Sequence, residues 1–327
     1  MLIDVVPPFA GRHSETTTAG TLLRHAGVEL SEPMLFGLGE GLSFVYWDSP
    51  ALEAPFLGGR VKPHVLTEKL ADALGFTLDT RETSSPIAAW ANVRESLDAG
   101  TPVGLRLDSF HLDYFAGRYH NGAHYVAMTG YDDTRAFLVD TADHGTRVHT
   151  TLTSLEHART ATGPMTSHNL SYTLGPCGET DRTEAVLEAI ESTADAFLHP
   201  PMQNLGHPGM EKAANHLPTW LERGPTSHLT QTAAQVEHET ALFRSMYADF
   251  LAEAARLTGD PAVEAGHQAY AAVTPKWQEL ADLLRQAGET GRQRPLDAAA
   301  GLLHELASRE RLAMESLAET TSRRTAV

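Results

Sequence analysis

HYVAMTGYDDTRAFLVD, residues 124–140, is the stretch on which the fold turns. Two apolar runs flank the turn-forming residues Asp132-Asp133-Thr134-Arg135, the pattern of a β-hairpin with polar residues between two half-buried strands. In an antiparallel hairpin the start of one strand lies beside the end of its partner. His124 and Asp140 are therefore expected within a rung or two of each other. A carboxylate beside an imidazole fixes its tautomer and stabilises the imidazolium formed during proton transfer. Asp143 is nearly as well placed by the same register argument. A strand-end histidine among solvated carboxylates is the bland alternative.

Working outward, PVGLRLD at 102–108 and LSFVYW at 42–47 read as strands. Ser85 as cap, Pro86 in the first turn and Gly100 past the end delimit a helix. A shorter helix spans 67–74, between Thr67 and Gly75. The first helix is expected over 15–26, where Ala19, Leu22, Leu23 and Ala26 fall at i, i+3, i+4, i+7 and make one apolar face. Ser14 is its expected N-cap and Gly27 its C′ residue. Residues 174–178, Leu-Gly-Pro-Cys-Gly, interrupt both periodicities and read as a linker.

Beyond the linker the pattern is helical, at roughly 183–197, 208–223, 230–257, 261–286 and 296–319, with no fixed-period repeat. The expected organisation is an α+β domain over 1–177 and an all-α bundle over 178–327. The stripe Leu242, Phe243, Met246, Phe250, Leu251 and Ala254 is too apolar to be left in water. It is expected to cover the first domain and shape a pocket there, with a homodimer interface as the alternative.

The 327 residues suit two domains, and no run approaches the ~18 apolar residues of a membrane helix. The first residues lack the basic start and apolar stretch of a signal peptide, so a cytoplasmic location is the default expectation. A net charge of −17 argues against nucleic acid or an anionic membrane surface as partner. The single cysteine, Cys177, cannot form an intramolecular disulfide and reads as structural or incidental.

Ser14, at a helix start, sits where free backbone N–H groups and the helix dipole favour developing negative charge. A nucleophile there takes part of an oxyanion hole from its own amide, and a serine also needs a base within reach. Serine is equally the commonest sort of N-cap. His111, His120 and His124 invite a metal reading, but with 17 histidines in the chain and no HExxH or CxxC pairing no metal is expected. The glycines of FGLGEGL, 36–42, precede a strand rather than following one, so they mark a turn and not a phosphate loop.

Taken together, several segments resemble the butirosin biosynthesis protein H family. They are Arg12-His13-Ser14-Glu15-Thr16, Leu22-Leu23-Arg24-His25-Ala26-Gly27 and Leu35-Phe36-Gly37-Leu38-Gly39. Asp113-Tyr114 and Gly122-Ala123-His124-Tyr125-Val126, through Gly130-Tyr131-Asp132 to Val139-Asp140, are similar to its His and Asp strands. Phe243-Arg244, Met246-Tyr247 and Phe250-Leu251-Ala252-Glu253-Ala254 resemble the helical domain that follows it. The resemblance implies a papain-like (cysteine-peptidase-like) α+β domain with catalytic Ser14, His124 and Asp140. It implies acyl transfer through an acyl-enzyme, the acyl group arriving on the phosphopantetheine arm of an acyl carrier or peptidyl carrier protein and leaving to a small-molecule amine or hydroxyl.

No cofactor beyond that arm is implied. Arg12, Arg60, Lys62 and Arg118 are candidates for a basic rim toward the carrier. A thioesterase, esterase or cyclase on the same scaffold and a non-catalytic binding homologue are the alternatives. The family usually has His-Cys-Glu where this chain has His13-Ser14-Glu15, which leaves a native serine enzyme, a Cys→Ser variant and an inactive homologue open. A Gln shortly before Ser14, the usual papain-like oxyanion donor, is missing.

Overall fold

Contacts divide the chain into two units, each discontinuous in sequence: residues 1–35 with 66–180, and 36–65 with 181–327. The computed structural model describes residues 2–3, 8–49, 55–117, 120–163 and 165–322. In chain order the elements are α1 (Ser14–His25), α2 (Glu32–Leu38), β1 (Leu42–Trp47), β2 (Phe56–Arg60), α3 (Val65–Ala73), β3 (Phe76–Arg81), α4 (Pro86–Asp98) and β4 (Val103–Leu107). Then follow β5 (His124–Tyr131), β6 (Arg135–Val139), β7 (Arg147–Thr151), α5 (Leu152–Thr160) and β8 (Ser171–Cys177). The helices α6 (Arg182–Leu198), α7 (Gly206–His216), α8 (Ser227–Gln235), α9 (Ala241–Thr258), α10 (Pro261–Thr290) and α11 (Gln293–Ser322) complete the chain. The protein is thus mixed α/β, with a sheet-containing N-terminal region and a helical C-terminal region.

The first unit is built on an antiparallel sheet of order β3-β8-β4-β5-β6-β7. The expected hairpin is present, with Ala127 opposite Val139 and Met128 opposite Leu138. Side chains alternate across a strand, so β5 feeds two cores. Val126 and Met128 join Leu105, Leu107 and Leu138 under Val93 and Leu97 of α4 and Leu155 of α5. Tyr125 and Ala127 join Val139, Leu170 and Tyr172 under Leu22 of α1. Burial on both faces explains why this strand reads as an unbroken apolar run.

Helix α1 begins one residue earlier than the sequence suggests. His13 is its N-cap, and Ser14 is the first helical residue rather than the cap. Gly27 follows the helix with φ of 82°, the left-handed conformation that suits glycine. Ser85 caps α4 by accepting from the Ala88 N–H. The 174–178 segment is not a linker: most of it is the end of β8. Pro176 is tolerated there because it falls in the irregularity between the Cys177–Phe76 and Leu174–Leu78 pairings, and β4 pairs β8 only at Ser171 and Tyr172.

In the second unit β1 and β2 pair antiparallel, with Val45 opposite Gly58 and Tyr46 opposite Leu57. The continuous split at 177/178 expected from texture therefore differs from the contacts, which group residues 36–65 with the helices. The expected 230–257 helix is α8 and α9 joined through a π-helical turn, Val236–Thr240. The 208–223 helix ends at His216 and continues as a 3-10 turn with Pro218 near its start, where proline cannot extend an α-helix. The α9 stripe, apart from the half-buried Leu242, is buried within this unit: Phe243 stacks on Phe36 at 5.4 Å, and Phe250 packs so close to Gly37 that a Cβ there would lie 2.1 Å from the ring.

Arg244 and Glu310, both fully buried, tie this unit together. The guanidinium meets the Glu310 carboxylate in a fork, Nε–Oε1 3.1 Å and Nη2–Oε2 3.0 Å, while its Nη1 donates to the carbonyls of Ser43 and Gly59. Trp277 Nε1 donates to the same carboxylate at 2.6 Å, and its ring lies 4.7 Å from the guanidinium carbon. Stripping one partner from such a pair leaves a buried charge unmatched. Glu310→Ala should therefore cost about 3–5 kcal/mol in urea unfolding, and the double variant Arg244→Met/Glu310→Leu should recover part of that loss. Equal losses in the single and double variants would show that packing, not charge, dominates there.

Candidate functional site

His124 opens β5 and Asp140 directly follows β6, and both are buried. They share the sheet face of Val126 and Leu138 by alternation, so their side chains meet diagonally across the hairpin. His124 Nε2 lies 3.0 Å and 2.9 Å from the two Asp140 carboxylate oxygens. A carboxylate can only accept, so the hydrogen of this pair is assigned to Nε2, and Nδ1 is the ring nitrogen not bonded to Asp140. Asp140 rather than Asp143 is the partner. Asp143 is exposed, and the group it acts on electrostatically is His144.

Two further donors hold Asp140. Tyr114 Oη donates at 2.7 Å and the Thr141 backbone N–H at 2.6 Å. Burial works to raise the carboxyl's pKa, but the His124 charge and the bonds from His124, Tyr114 and Thr141 outweigh it, and the group lies below the usual carboxylate range. Burial first, and then the charge and hydrogen bond of Asp140, drive the Tyr114 hydroxyl far up, so it stays protonated and donates to the carboxylate. Tyr114 and Phe115 come from the connection between β4 and β5. Phe115 packs edge-on to the His124 ring at 5.1 Å and lies 3.9 Å from the half-buried ring of His144, whose pKa burial lowers. No motif in the sequence assigns Tyr114 or His144 a role. The sequence signal for Tyr114 is its place in the Asp113-Tyr114 segment, and for His144 its nearness to Asp140 in the chain.

Ser14, half-buried, starts α1, and α1 packs against β5. The segment before it is held at two points. Glu32 accepts the backbone N–H of Arg12 at 2.9 and 3.0 Å, that of His13 at 2.9 Å and the Thr16 hydroxyl at 2.8 Å. The Ala142 N–H donates to the Gly11 carbonyl at 2.9 Å, which draws this segment to the end of the sheet where Asp140 sits. The N-cap His13 makes no side-chain capping bond, so the first-turn N–H groups of α1 are not spent on it. Glu15, the next residue, is buried and accepts from the Thr67 hydroxyl at 2.9 Å. Among the described residues no hydrogen bond joins Ser14 to His124. The structure thus brings His124 and Asp140 into contact, and brings Ser14's segment to their end of the sheet.

The trio His111, His120 and His124 does not form a cluster, because His124 turns to Asp140. Among the described residues Asp108, His111 and His120 could hold a metal ion, their ligand atoms lying within 4.8 Å of one another. Asp108 is already engaged by His120 Nδ1 at 2.7 Å and by the N–H groups of Phe110 and Asn121. Of the basic rim, Arg12 is exposed in the first unit, Arg60 and Lys62 belong to the second, and Arg118 lies outside the described residues. Cys177 is free and exposed. The 36–42 glycines lie in the end of α2 and the turn into β1, not in a phosphate loop. Among the described residues no helix is long and apolar enough to cross a membrane.

Residues 13–141 match the family described as butirosin biosynthesis protein H, N-terminal, and residues 153–317 match a domain of unknown function, DUF4872. No curated protein matches the chain. His124, Asp140, Tyr114 and Glu32 all fall inside the first matched segment, and Ser14 lies one residue past its start.

Asp140 offers a test of this geometry. Its folded pKa is depressed, so it binds a proton less readily folded than unfolded. Its contribution to stability is present above the unfolded value of about 3.9 and is lost as pH falls through the folded value. Asp140→Asn should cost about 2–3 kcal/mol at pH 7, and the gap to the parent should shrink on acidification toward pH ~3. Urea unfolding across that range checks it. A gap that stays constant would mean that the carboxylate's charge contributes nothing.

Proposed function

The chain belongs to the butirosin biosynthesis protein H family, and from that premise we propose that it is an acyl-transfer enzyme of specialised metabolism using Ser14, His124 and Asp140 in a papain-like arrangement. The observation that carries the reading is the buried His124–Asp140 pair, with the ring nitrogen not bonded to Asp140 left as a base. A helix N-terminus whose preceding segment is tied to the turn after Asp140 supports Ser14 as the nucleophile. The family's role in making an aminoglycoside antibiotic supports a small-molecule amine as the acceptor. The acyl donor is the phosphopantetheine thioester of an acyl or peptidyl carrier protein, and exposed Arg12, two residues before Ser14, supplies positive charge beside it.

In this reading Ser14 Oγ attacks the thioester carbonyl as His124 Nδ1 takes its proton. The negative oxygen of the tetrahedral species is stabilised by first-turn N–H groups of α1 and the helix dipole. The C–S bond breaks, the thiol leaves with the proton from His124, and an ester on Ser14 remains. The acceptor amine then attacks that ester, His124 again moving the proton, and the amide leaves with Ser14 restored. Asp140 holds the ring by Nε2 and stabilises the imidazolium in both halves. Tyr114 and Thr141 keep Asp140 ionised and in place.

Intact-protein mass spectrometry with a series of acyl thioesters tests this. The parent should gain one acyl mass, Ser14→Ala none, and His124→Ala should acylate at least ~10³-fold more slowly. The double variant should be little worse than either single one, because the pair acts as a unit. Ser14→Cys separates a thiolate-adapted site, where turnover rises, from a serine-adapted one, where it falls. Undiminished acylation of Ser14→Ala would remove Ser14 from the mechanism.

A further inference from the structure

Arg159, near the end of α5, is only 3 % exposed, and no carboxylate among the described residues pairs with it. Its Nη1 donates to the Ala89 carbonyl at 3.3 Å and its Nη2 to that of Asn169 at 3.0 Å, while Nε has no acceptor. A guanidinium has five N–H donors in a rigid fork, so more than half of this one is unspent. Burial lowers its pKa to about 10, which leaves it cationic at neutral pH. A buried cation without a counter-ion is among the costlier features a fold can keep.

The arginine borders a cavity of about 300 Å³ between α4 and α5. Pro86, Trp90, Leu152 and Leu155 give it an apolar wall, and the exposed carboxylate of Glu156 stands on its lining. Apolar walls with one charged group that fixes orientation are the usual make-up of a small-ligand site, and the volume is at the lower end of that class. Neither His124, Asp140 nor Ser14 lines the cavity, so it is a separate site whose existence does not depend on the acyl-transfer reading.

We propose that this cavity binds a small organic monocarboxylate, its carboxylate on the remaining Nη1 and Nη2 N–H groups of Arg159, Nε itself being shut off from solvent, and its apolar body against Trp90, Leu152 and Leu155. A planar carboxylate matches the guanidinium fork. The apolar wall disfavours a bare inorganic anion, and the Glu156 charge disfavours a dianion more than a monoanion. Glu156 therefore sets the selectivity, and its removal strengthens anion binding generally.

Calorimetric titration of the full chain tests this with acetate, 4-methylpentanoate and phenylacetate, and with phenylacetamide and inorganic phosphate as controls. At least one of the two larger carboxylates should bind with Kd of about 0.1–5 mM, and phenylacetamide and phosphate at least tenfold more weakly. Glu156→Gln should tighten the carboxylate by about two- to fivefold. Arg159→Met should abolish binding. Because that change also removes two bonds to buried carbonyls, Leu152→Trp, which fills the cavity and leaves Arg159 in place, carries the same test if the first variant fails to fold. The proposal falls if neither larger carboxylate binds by about 20 mM, if the amide or phosphate binds as well as the acid, or if binding survives Leu152→Trp.

Discussion

A carboxylate removed from water must be surrounded by donors or it will not stay ionised, and the Asp140 side chain imposes that condition on everything near it. Its donors come from three directions: the His124 ring on β5, the Tyr114 hydroxyl on the β4–β5 connection and the N–H of Thr141 beside it in the chain. Each must be held in turn. The connection bearing Tyr114 is pinned by Asp108, which accepts from Phe110 near its start and from Asn121 near its end. The chain after Thr141 is tied to Gly11, and through Arg12 and His13 to Glu32. One buried charge thus connects the hairpin, a long loop and the start of the first helix.

What could be read from sequence follows the range of the interactions. The hairpin from His124 to Asp140 was legible because strand alternation and a polar turn fix register over seventeen residues in a local way. The same alternation, taken one step further, selects Asp140 over Asp143, since only Asp140 shares the face of Val126 and Leu138. Tyr114 was not legible as the anchor of Asp140. The two lie 26 positions apart, and an irregular loop decides where the hydroxyl points. Glu32 is a similar case. Its carboxylate accepts the N–H of the N-cap residue His13, the part that a capping-box glutamate in the first turn ordinarily plays, but from 19 positions away, and no capping pattern in the sequence announces it.

Two other segments are governed by distant partners in the same way. Proline and glycine at 175–178 read locally as structure breakers, yet β8 runs through Gly175 and Pro176, because an unpaired stretch of ladder asks nothing of the missing N–H. Residues 36–65 have the texture of their sequence neighbours, short strand and turn, but their partners are distant helices. Local pattern reports the kind of element a segment forms. It does not report which surface will cover it, and here the covering residues include Phe243, Arg244 and Phe250.

That long-range pairing gives the ribosome a problem of order. When residue 180 has been made, the first unit has all its parts, but β1 and β2 exist as a two-stranded hairpin, which is marginal alone in water. The arginine that will bond the Gly59 carbonyl is 185 positions further along, so Phe36, Phe44 and Tyr46 wait uncovered while the helices are synthesised. A nascent chain in that condition is a natural client for a holding chaperone. Anyone wishing to express the helical part alone must carry residues 36–65 with it, by permuting the chain rather than cutting it at 177.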